Sequence, residues 1–208
     1  KKKVIEYLKC KRAAFLQKFH KTLGIEKKSF TDHDRYIMQS GIDAENHYRT
    51  FKTGAVLVED GQGWSFNRYN DAIKSTKRLI KSGANMLHQP AFVTDDDVYS
   101  LCDELMVDFV DNNKVSINEV KASNGVKPEH ILDVAVQSVA VIDNGYELDD
   151  MMITHLDKNK TLEDGIDVFK TESIKERVIP VIPRVRRAIQ NVKQLYKDKN
   201  MPQPQYQK

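Results

Sequence analysis

Two neighbouring segments near the middle of the chain place apolar side chains at every second position, and this pattern constrains the fold more than any other feature. Alternate residues of a β-strand share a face, so the alternation predicts strands over 98–109 and 115–123, joined by a polar turn at 111–113. The odd-numbered positions read Leu101, Asp103, Leu105, Val107 and Phe109 in the first strand, and Val115, Ile117, Glu119 and Lys121 in the second. Both rows are apolar except for three ionisable residues at one end.

The partners of these ionisable side chains depend on the register of the hairpin. A three-residue turn at 111–113 places Asp103 opposite Lys121 and Leu105 opposite Glu119. A two-residue turn at 112–113 instead brings Glu104 opposite Lys121. We expect the three-residue turn because it keeps both apolar rows on one face, and a β-bulge would change the pairing again.

The charges of Asp103, Glu119 and Lys121 require partners, because an isolated buried charge is very costly. One interpretation is a structural cluster of ion pairs, and the residue types alone favour it. The other is a catalytic site. Carboxylate oxygens are ligands for hard cations such as Mg²⁺, and a neighbouring lysine can orient a nucleophile or stabilise developing negative charge.

Helical patterns flank the predicted hairpin on both sides. Apolar spacing predicts helices over 4–19, 36–51, 70–81 and 181–197, and further strands over 91–94 and 148–156. Pro128 is placed to open another helix that runs to about Asp143, with Gly145 as its cap. This order of helices and strands predicts an α/β domain.

The composition excludes several classes of protein. A chain of 208 residues, 40% hydrophobic and 30% charged, is typical of a soluble globular protein with a real core. It contains no apolar run long enough to cross a bilayer and opens on no signal peptide, so no membrane partner is expected. Cys10 and Cys102 are too few for a disulfide framework, which favours a cytoplasmic location. We expect Cys102 to pack on the strand face opposite Asp103.

Basic residues concentrate at the two ends of the chain, over 1–28 and 175–208, around acidic segments at 95–111 and 147–150. The net charge is only +3. Basic ends around an acidic centre suit a nucleic-acid groove that surrounds a metal site, although charged segments are more often solvated surface. The candidate phosphate contacts on the last helix are Arg184, Arg186, Arg187 and Lys193.

The ionisable residues of the hairpin also carry a family resemblance. Asp103 followed by residues 117–121 (INEVK) resembles the D…(D/E)-x-K core of the PD-(D/E)XK nuclease superfamily. Residues 132–137 (LDVAVQ) are similar to the helix that follows the lysine in RecB-like nucleases. The resemblance implies a restriction-endonuclease-like fold, with a central mixed sheet flanked by helices. It also implies metal-dependent hydrolysis of phosphodiester bonds in DNA.

The resemblance assigns roles to individual residues. Asp103, Glu119 and the carbonyl of Val120 would bind Mg²⁺ or Mn²⁺, Lys121 would position the attacking water, and Gln137 would support that water or the substrate. Asp133 lies four residues before Gln137, so the two share a helix face.

Shorter segments extend the likeness over most of the chain. Residues 7–12, 39–41, 89–92 and 153–157 resemble landmarks of an uncharacterised bacterial family whose N-terminal half is a RecB-like nuclease domain, related to the CRISPR adaptation exonucleases. Related nucleases have a further metal ligand four residues after a glycine on an early helix. Gly41 places Glu45 there, with His47 as the rival.

Two positions depart from the pattern of the family. Val141 stands where the wider group often has a tyrosine, which puts the details of strand binding in doubt. Relatives with an iron–sulfur cluster have one cysteine near the N-terminus and three after the last helix. Cys10 matches the first and the others are absent, so no cluster is expected in this chain and Cys10 is expected in the apolar core.

Two classes of function follow from this reasoning. The first is a DNA nuclease, and the second is a catalytically inactive nucleic-acid-binding or interaction module on the same fold. Residues 1–200 are expected to form one domain, and the tail 201–208 to lead into a missing C-terminal segment or towards a partner protein. Trp64 is expected to cover an edge of the core from its glycine-rich loop.

Overall fold

A computed structural model describes residues 1–58, 66–108, 110–111 and 113–204. The predictions for Trp64, for Phe109 and for the last four residues of the tail lie outside the described residues. The helices are α1 (Lys2–Lys9), α2 (Lys11–Phe19), α3 (Asp32–Thr50), α4 (Phe66–Lys81), α5 (Pro128–Asp143), α6 (Lys175–Val178) and α7 (Ile182–Asp198). The strands are β1 (Val56–Leu57), β2 (Met86–His88), β3 (Ala91–Val93), β4 (Tyr99–Leu101), β5 (Glu104–Val107), β6 (Lys114–Lys121), β7 (Glu147–Leu156) and β8 (Phe169–Ser173).

The strands form one large mixed sheet and one small hairpin. The large sheet has the order β1-β2-β5-β6-β7-β8, with the pairs β1–β2 and β6–β7 parallel and the other neighbours antiparallel. The small hairpin pairs β3 with β4. Helices contact both faces of the large sheet, since α3 meets the even-numbered side chains of β6 and α5 meets the odd-numbered ones. The fold class is therefore confirmed as a central mixed sheet flanked by helices.

Helix α5 is the centre of the core. Pro128 occupies its first turn, where a missing N–H costs nothing, and the residues from His130 to Val141 are buried with few exceptions. A helix that is apolar on nearly all sides must be covered on all sides. The sheet covers one side of α5, and helices α1 and α7 pack on others. This placement brings the polar residues of α5 against β6.

The predicted strand over 98–109 is wrong in one respect, because the chain changes sheets in its middle. β4 pairs with β3 and β5 pairs with β2, and Cys102 and Asp103 form the bend between them. The backbone N–H of Cys102 donates to Pro90 O (3.1 Å). Cys102 is fully buried, as expected.

Both predicted registers of the β5–β6 hairpin are also wrong. Leu105 pairs with Ile117, and Glu104 pairs with Asn118. The turn is longer than expected because the carboxylate of Asp108 accepts hydrogen bonds from two backbone N–H groups of the loop, and the ladder resumes with Asp108 N donating to Lys114 O (2.9 Å). The register differs from the expected one by two residues, so the apolar odd-numbered rows still share a face.

The N-terminal prediction needs two corrections. The helix expected over 4–19 is two helices, because Cys10 has an extended conformation (φ −159°) and its sulfur accepts a hydrogen bond from Ala13 N (3.4 Å) as the N-cap of α2. Cys10 is therefore exposed and is not a core residue. Helix α3 begins earlier than expected, since Thr31 and Asp34 form a capping box. Among the described residues, no helix is long and apolar enough to cross a membrane.

Candidate active site

The three ionisable residues predicted from the hairpin lie together where β4 gives way to β5. Oδ2 of Asp103 accepts a hydrogen bond from the backbone N–H of Val120 (2.7 Å). This bond fixes the aspartate beside β6, between Glu119 and Lys121. The alternation of β6 points both of those side chains towards α5. Glu119 is buried, whereas Lys121 keeps part of its surface exposed.

Helix α5 supplies two partners to this cluster. The amide of Gln137 donates to one carboxylate oxygen of Glu119, and Lys121 contacts the other. Nζ of Lys121 also lies 2.9 Å from Oδ2 of Asp133. Asp133 and Gln137 are one turn apart, so the expected shared helix face is directed at β6. We call Asp103, Glu119, Lys121, Asp133 and Gln137 the α5-face cluster.

Lys1 is a member of the site that the sequence did not predict. Its Nζ lies 2.9 Å from Oδ1 of Asp133 and 3.6 Å from Oε1 of Glu119. Its backbone nitrogen donates to Tyr99 O (3.0 Å), which holds the start of α1 against β4. The ammonium groups of Lys1 and Lys121 thus each contact a different oxygen of the Asp133 carboxylate.

The acids of the cluster have pKa values shifted in opposite directions, because burial and like charge raise two of them and neighbouring lysines lower the third. Burial raises the pKa of Asp103, and the nearby carboxylate of Glu45 raises it further. Burial also raises the pKa of Glu119, and the charge of Asp103 adds to this effect. Burial opposes ionisation of Asp133 too, but Lys1 and Lys121 outweigh it and hold its pKa well below the usual range. The ionised pair of Asp103 and Glu119 is therefore costly without further positive charge.

The lysine of the motif is firmly cationic. Burial lowers the pKa of Lys121, but the carboxylates of Glu119 and Asp133 outweigh this and raise it above the ordinary value. The ammonium group therefore acts as a hydrogen-bond donor and a fixed positive charge.

Glu45 approaches Asp103 from α3. Its carboxylate is bonded to Arg49, one turn further along the helix, and to the side-chain amide of Gln89. Gln89 has a left-handed backbone conformation (φ 57°), and its N–H donates to the carbonyl of Asp103 (3.1 Å). Strained non-glycine residues of this kind cluster at functional sites. Gln89 thus joins the two candidate ligands, and His47, the rival of Glu45, instead packs against Phe51.

The chemistry of this donor set fits a divalent cation. Glu119 is buried and Asp103 is half-buried, and the pKa values of both carboxyl groups are raised. A cation would offset both the desolvation and the mutual repulsion of the two carboxylates. In the described part of the chain, no group of three or more histidine, cysteine or acidic residues is already arranged to hold a metal. Glu119 and Glu45 must therefore exchange their present partners to become ligands.

A second polar cluster lies on the other face of the sheet, directly behind the site. Oε2 of Glu104 accepts hydrogen bonds from the hydroxyl of Tyr48 (3.0 Å) and from the amide of Asn118 (3.0 Å). The hydroxyl of Thr154 donates to Oδ1 of Asn118 (3.0 Å). All four side chains are buried, and we call them the α3-face cluster. The sequence signal was available, because Glu104 and Asn118 are polar residues on strands whose neighbours are the candidate ligands.

The four basic residues predicted to bind phosphate differ in their neighbours. Arg186 is paired with Asp143 (2.7 Å), and Lys193 lies 3.7 Å from both Asp96 and Asp97. Arg184 and Arg187 instead line a cavity of about 180 Å³ with Lys11, between α1 and α7.

Comparisons with known proteins give little further information. No protein-family model matches the chain, and no curated protein matches it. Solved structures to which it is similar include the crystal structure of an alkaline exonuclease from Laribacter hongkongensis, at 13% identity and a TM-score of 0.40, covering 74% of this chain and 94% of that one. A similarity of this size assigns no function. The relationship to RecB-like nucleases stays a prediction from the sequence motifs.

Proposed function

We propose that the protein is a metal-dependent nuclease that hydrolyses phosphodiester bonds in DNA. The observation that carries the proposal is the meeting of Asp103, Glu119 and Lys121 at one bend of the sheet, with Glu119 buried, Asp103 half-buried and the pKa values of both carboxyl groups raised. Strongly perturbed carboxylates beside a lysine are typical of catalytic sites. The motif and the order of these residues in the sequence point the same way.

The residues of the site divide into metal ligands and groups that handle water and substrate. Asp103, Glu119, the carbonyl of Val120 and Glu45 would hold Mg²⁺ or Mn²⁺. When bound, such an ion polarises a phosphoryl oxygen and lowers the pKa of a coordinated water. Lys121 presents N–H donors that orient the attacking water and stabilise negative charge as it develops on phosphate.

Gln137 is suited to support the water. Its amide nitrogen donates to Glu119, whereas its Oε1 is buried without a hydrogen-bond partner among the described residues. A buried acceptor without a partner is costly, and a water molecule placed beside Glu119 would satisfy it. Gln137 would thus hold a water by accepting one of its protons in a hydrogen bond.

Arg184 and Arg187 are the better candidates for contacts to the DNA backbone. Neither forms an ion pair with a described residue, whereas Arg186 is paired with Asp143 and Lys193 lies near Asp96 and Asp97. Releasing a paired arginine to bind phosphate costs the energy of its existing pair.

The test is cleavage of labelled single- and double-stranded DNA with Mn²⁺, with and without EDTA. Lys121→Ala should abolish cleavage, whereas Lys114→Ala, which changes a lysine at the other end of β6, should retain it. Equal cutting by wild type and Lys121→Ala would show contamination or a different site, and the proposal would be wrong.

The existing partners of the carboxylates favour a second candidate, an inactive DNA-binding module. Both oxygens of Glu119 are occupied by Lys121 and Gln137, as a structural ion cluster requires. This candidate predicts DNA binding that Mn²⁺ does not change and that survives replacement of Asp103 and Glu119 by alanine. A nuclease would instead bind Mn²⁺ through these residues.

A further inference from the structure

A cavity of about 440 Å³ lies between α2 and the connection to α3. Leu16, Ile25 and Phe30 form its apolar wall. Phe30 is 59% exposed and Ile25 is 43% exposed. A volume of this size is typical of small-ligand pockets, and an exposed aromatic ring offers a face on which a base can stack.

The rim of this cavity is positively charged. Lys2, Lys27 and Lys28 line it, against a single carboxylate from Glu26. Lys2 and Lys27 form no ion pair with any residue in the described ranges, while Lys28 acts electrostatically on Asp34. A net positive rim above an apolar wall matches a nucleotide, which has a phosphate at one end and an apolar base face at the other.

The start of α1 contributes residues to both the cavity and the candidate active site. Lys2 lines the cavity, and the preceding residue, Lys1, has its Nζ 2.9 Å from Asp133. Consecutive Cα atoms are about 3.8 Å apart, so one short stretch of chain borders both places. A DNA strand that follows the start of α1 away from the candidate active site would pass this cavity.

We propose that this cavity binds one unpaired nucleotide of a single-stranded DNA segment beside the cleavage site. The proposal rests on the proposed function and names its substrate class. An unpaired base is required, because a base within a duplex keeps both faces stacked and cannot contact Phe30. The cationic rim, and the contact of the neighbouring Lys1 with Asp133, favour a nucleotide over a protein segment on the same apolar wall.

Binding without metal tests the proposal directly. Fluorescence anisotropy in EDTA would measure the affinity of wild type and Phe30→Ala for a labelled single-stranded oligonucleotide and for a hairpin duplex of equal length. Phe30→Ala should weaken single-strand binding about tenfold and change duplex binding little. Phe30→Trp should restore the affinity. Tyr36→Ala, which removes a more exposed aromatic on α3 outside the cavity, should have no effect.

The lysines give a second readout. Lys27→Ala should reduce the slope of log affinity against log salt by about one. Equal loss on both DNA forms, or no loss with Phe30→Ala, would overturn the proposal. A change in sedimentation with unchanged DNA affinity would also overturn it, since the wall would then be a protein contact.

These outcomes are separable from those of the nuclease test. Cleavage that depends on Lys121 but not on Phe30 would support the proposed nuclease function and contradict the proposed role of the cavity. Binding to single strands that depends on Phe30, without any cleavage, would support the proposed role of the cavity and contradict the proposed nuclease function.

Discussion

The two faces of the central sheet carry polar clusters of opposite character, although neighbouring residues supply both. Asp103 and Glu119 belong to the α5-face cluster, and the adjacent Glu104 and Asn118 belong to the α3-face cluster. The first cluster concentrates several charges with shifted pKa values. In the second, two uncharged side chains donate to one oxygen of the Glu104 carboxylate. One face is therefore suited to binding further charge, and the other to fixing the geometry.

The α3-face cluster explains how a helix from the other side of the sheet contributes to the site. Tyr48 lies one turn after Glu45 on α3, and its hydroxyl bonds to Glu104, the residue after Asp103. Tyr48, Glu104 and Asn118 are thus each adjacent, in the chain or along a helix, to a candidate ligand. Hydrogen bonds to a buried charge are stronger than neutral ones and poorly tolerate the loss of one partner.

The largest expected effect comes from the isosteric change Glu119→Gln. It removes a candidate ligand, so cleavage should fall by about 10³-fold or more, because metal and electrostatic contributions of several kcal/mol are lost. The fold should be as stable as wild type or more stable at neutral pH. The pKa of Glu119 is raised above its unfolded value, so its ionised form opposes folding. Cleavage rates and urea unfolding measure the two effects. A strong loss of stability in Glu119→Gln would contradict the view that the α5-face cluster binds charge rather than holding the fold.

Glu104→Ala, on the other face of the sheet, should instead lower the stability of the fold more than it lowers the rate of cleavage. It leaves the hydroxyl of Tyr48 and the amide of Asn118 buried without their shared acceptor, so stability should fall by about 3 kcal/mol. Urea unfolding measures this effect, with Glu163→Ala as the control because Glu163 is exposed. A loss below about 1 kcal/mol would show that the carboxylate is not an anchor.

Tyr48→Phe sharpens the comparison with a smaller change. It removes one hydroxyl and keeps the ring in contact with Phe169 (centroids 5.3 Å apart), so the expected loss is about 1 kcal/mol. In the double variant with Glu104→Ala, the two losses should not add, since both changes break the same hydrogen bond. Full additivity, measured in the same urea experiments, would place Tyr48 outside the network.

The smallest expected effect is a pH dependence from His88, which pairs with Glu104 across β2 and β5. Burial lowers the pKa of His88, and Arg49 and Lys52 lower it further, against the opposing charge of Glu104. The unfolded chain therefore takes up a proton first, near pH 6.5, and stability is lost as the pH falls below that value. His88→Gln should remove this loss, so as the pH falls from about 7.5 to about 5.5 its melting temperature should decrease less, or increase more, than that of wild type. His33→Gln, which alters an exposed histidine, should leave it as in wild type.

Local patterns in the sequence predicted much of the candidate site. The alternation of β6 predicted that Glu119 and Lys121 share one face of the strand. The four-residue spacing of Asp133 and Gln137 predicted that they share one face of α5. The bounds of α5 follow from Pro128 at its start and Gly145 just after its end, and the structure confirms them. These features depend on the period of a strand or a helix, which residues close in the chain determine among themselves.

The tertiary structure decided the rest. The register of β5 against β6 depends on a loop that the carboxylate of Asp108 lengthens, and the bend at Asp103 exists because β4 and β5 pair with different strands. The approach of Glu45 and the burial of Glu104 depend on where α3 docks on the sheet. Such contacts join residues far apart in the chain, and no local period specifies them. The sequence by itself thus determined which side chains share a face, and the packing of α3 and α5 on the sheet determined which of them meet.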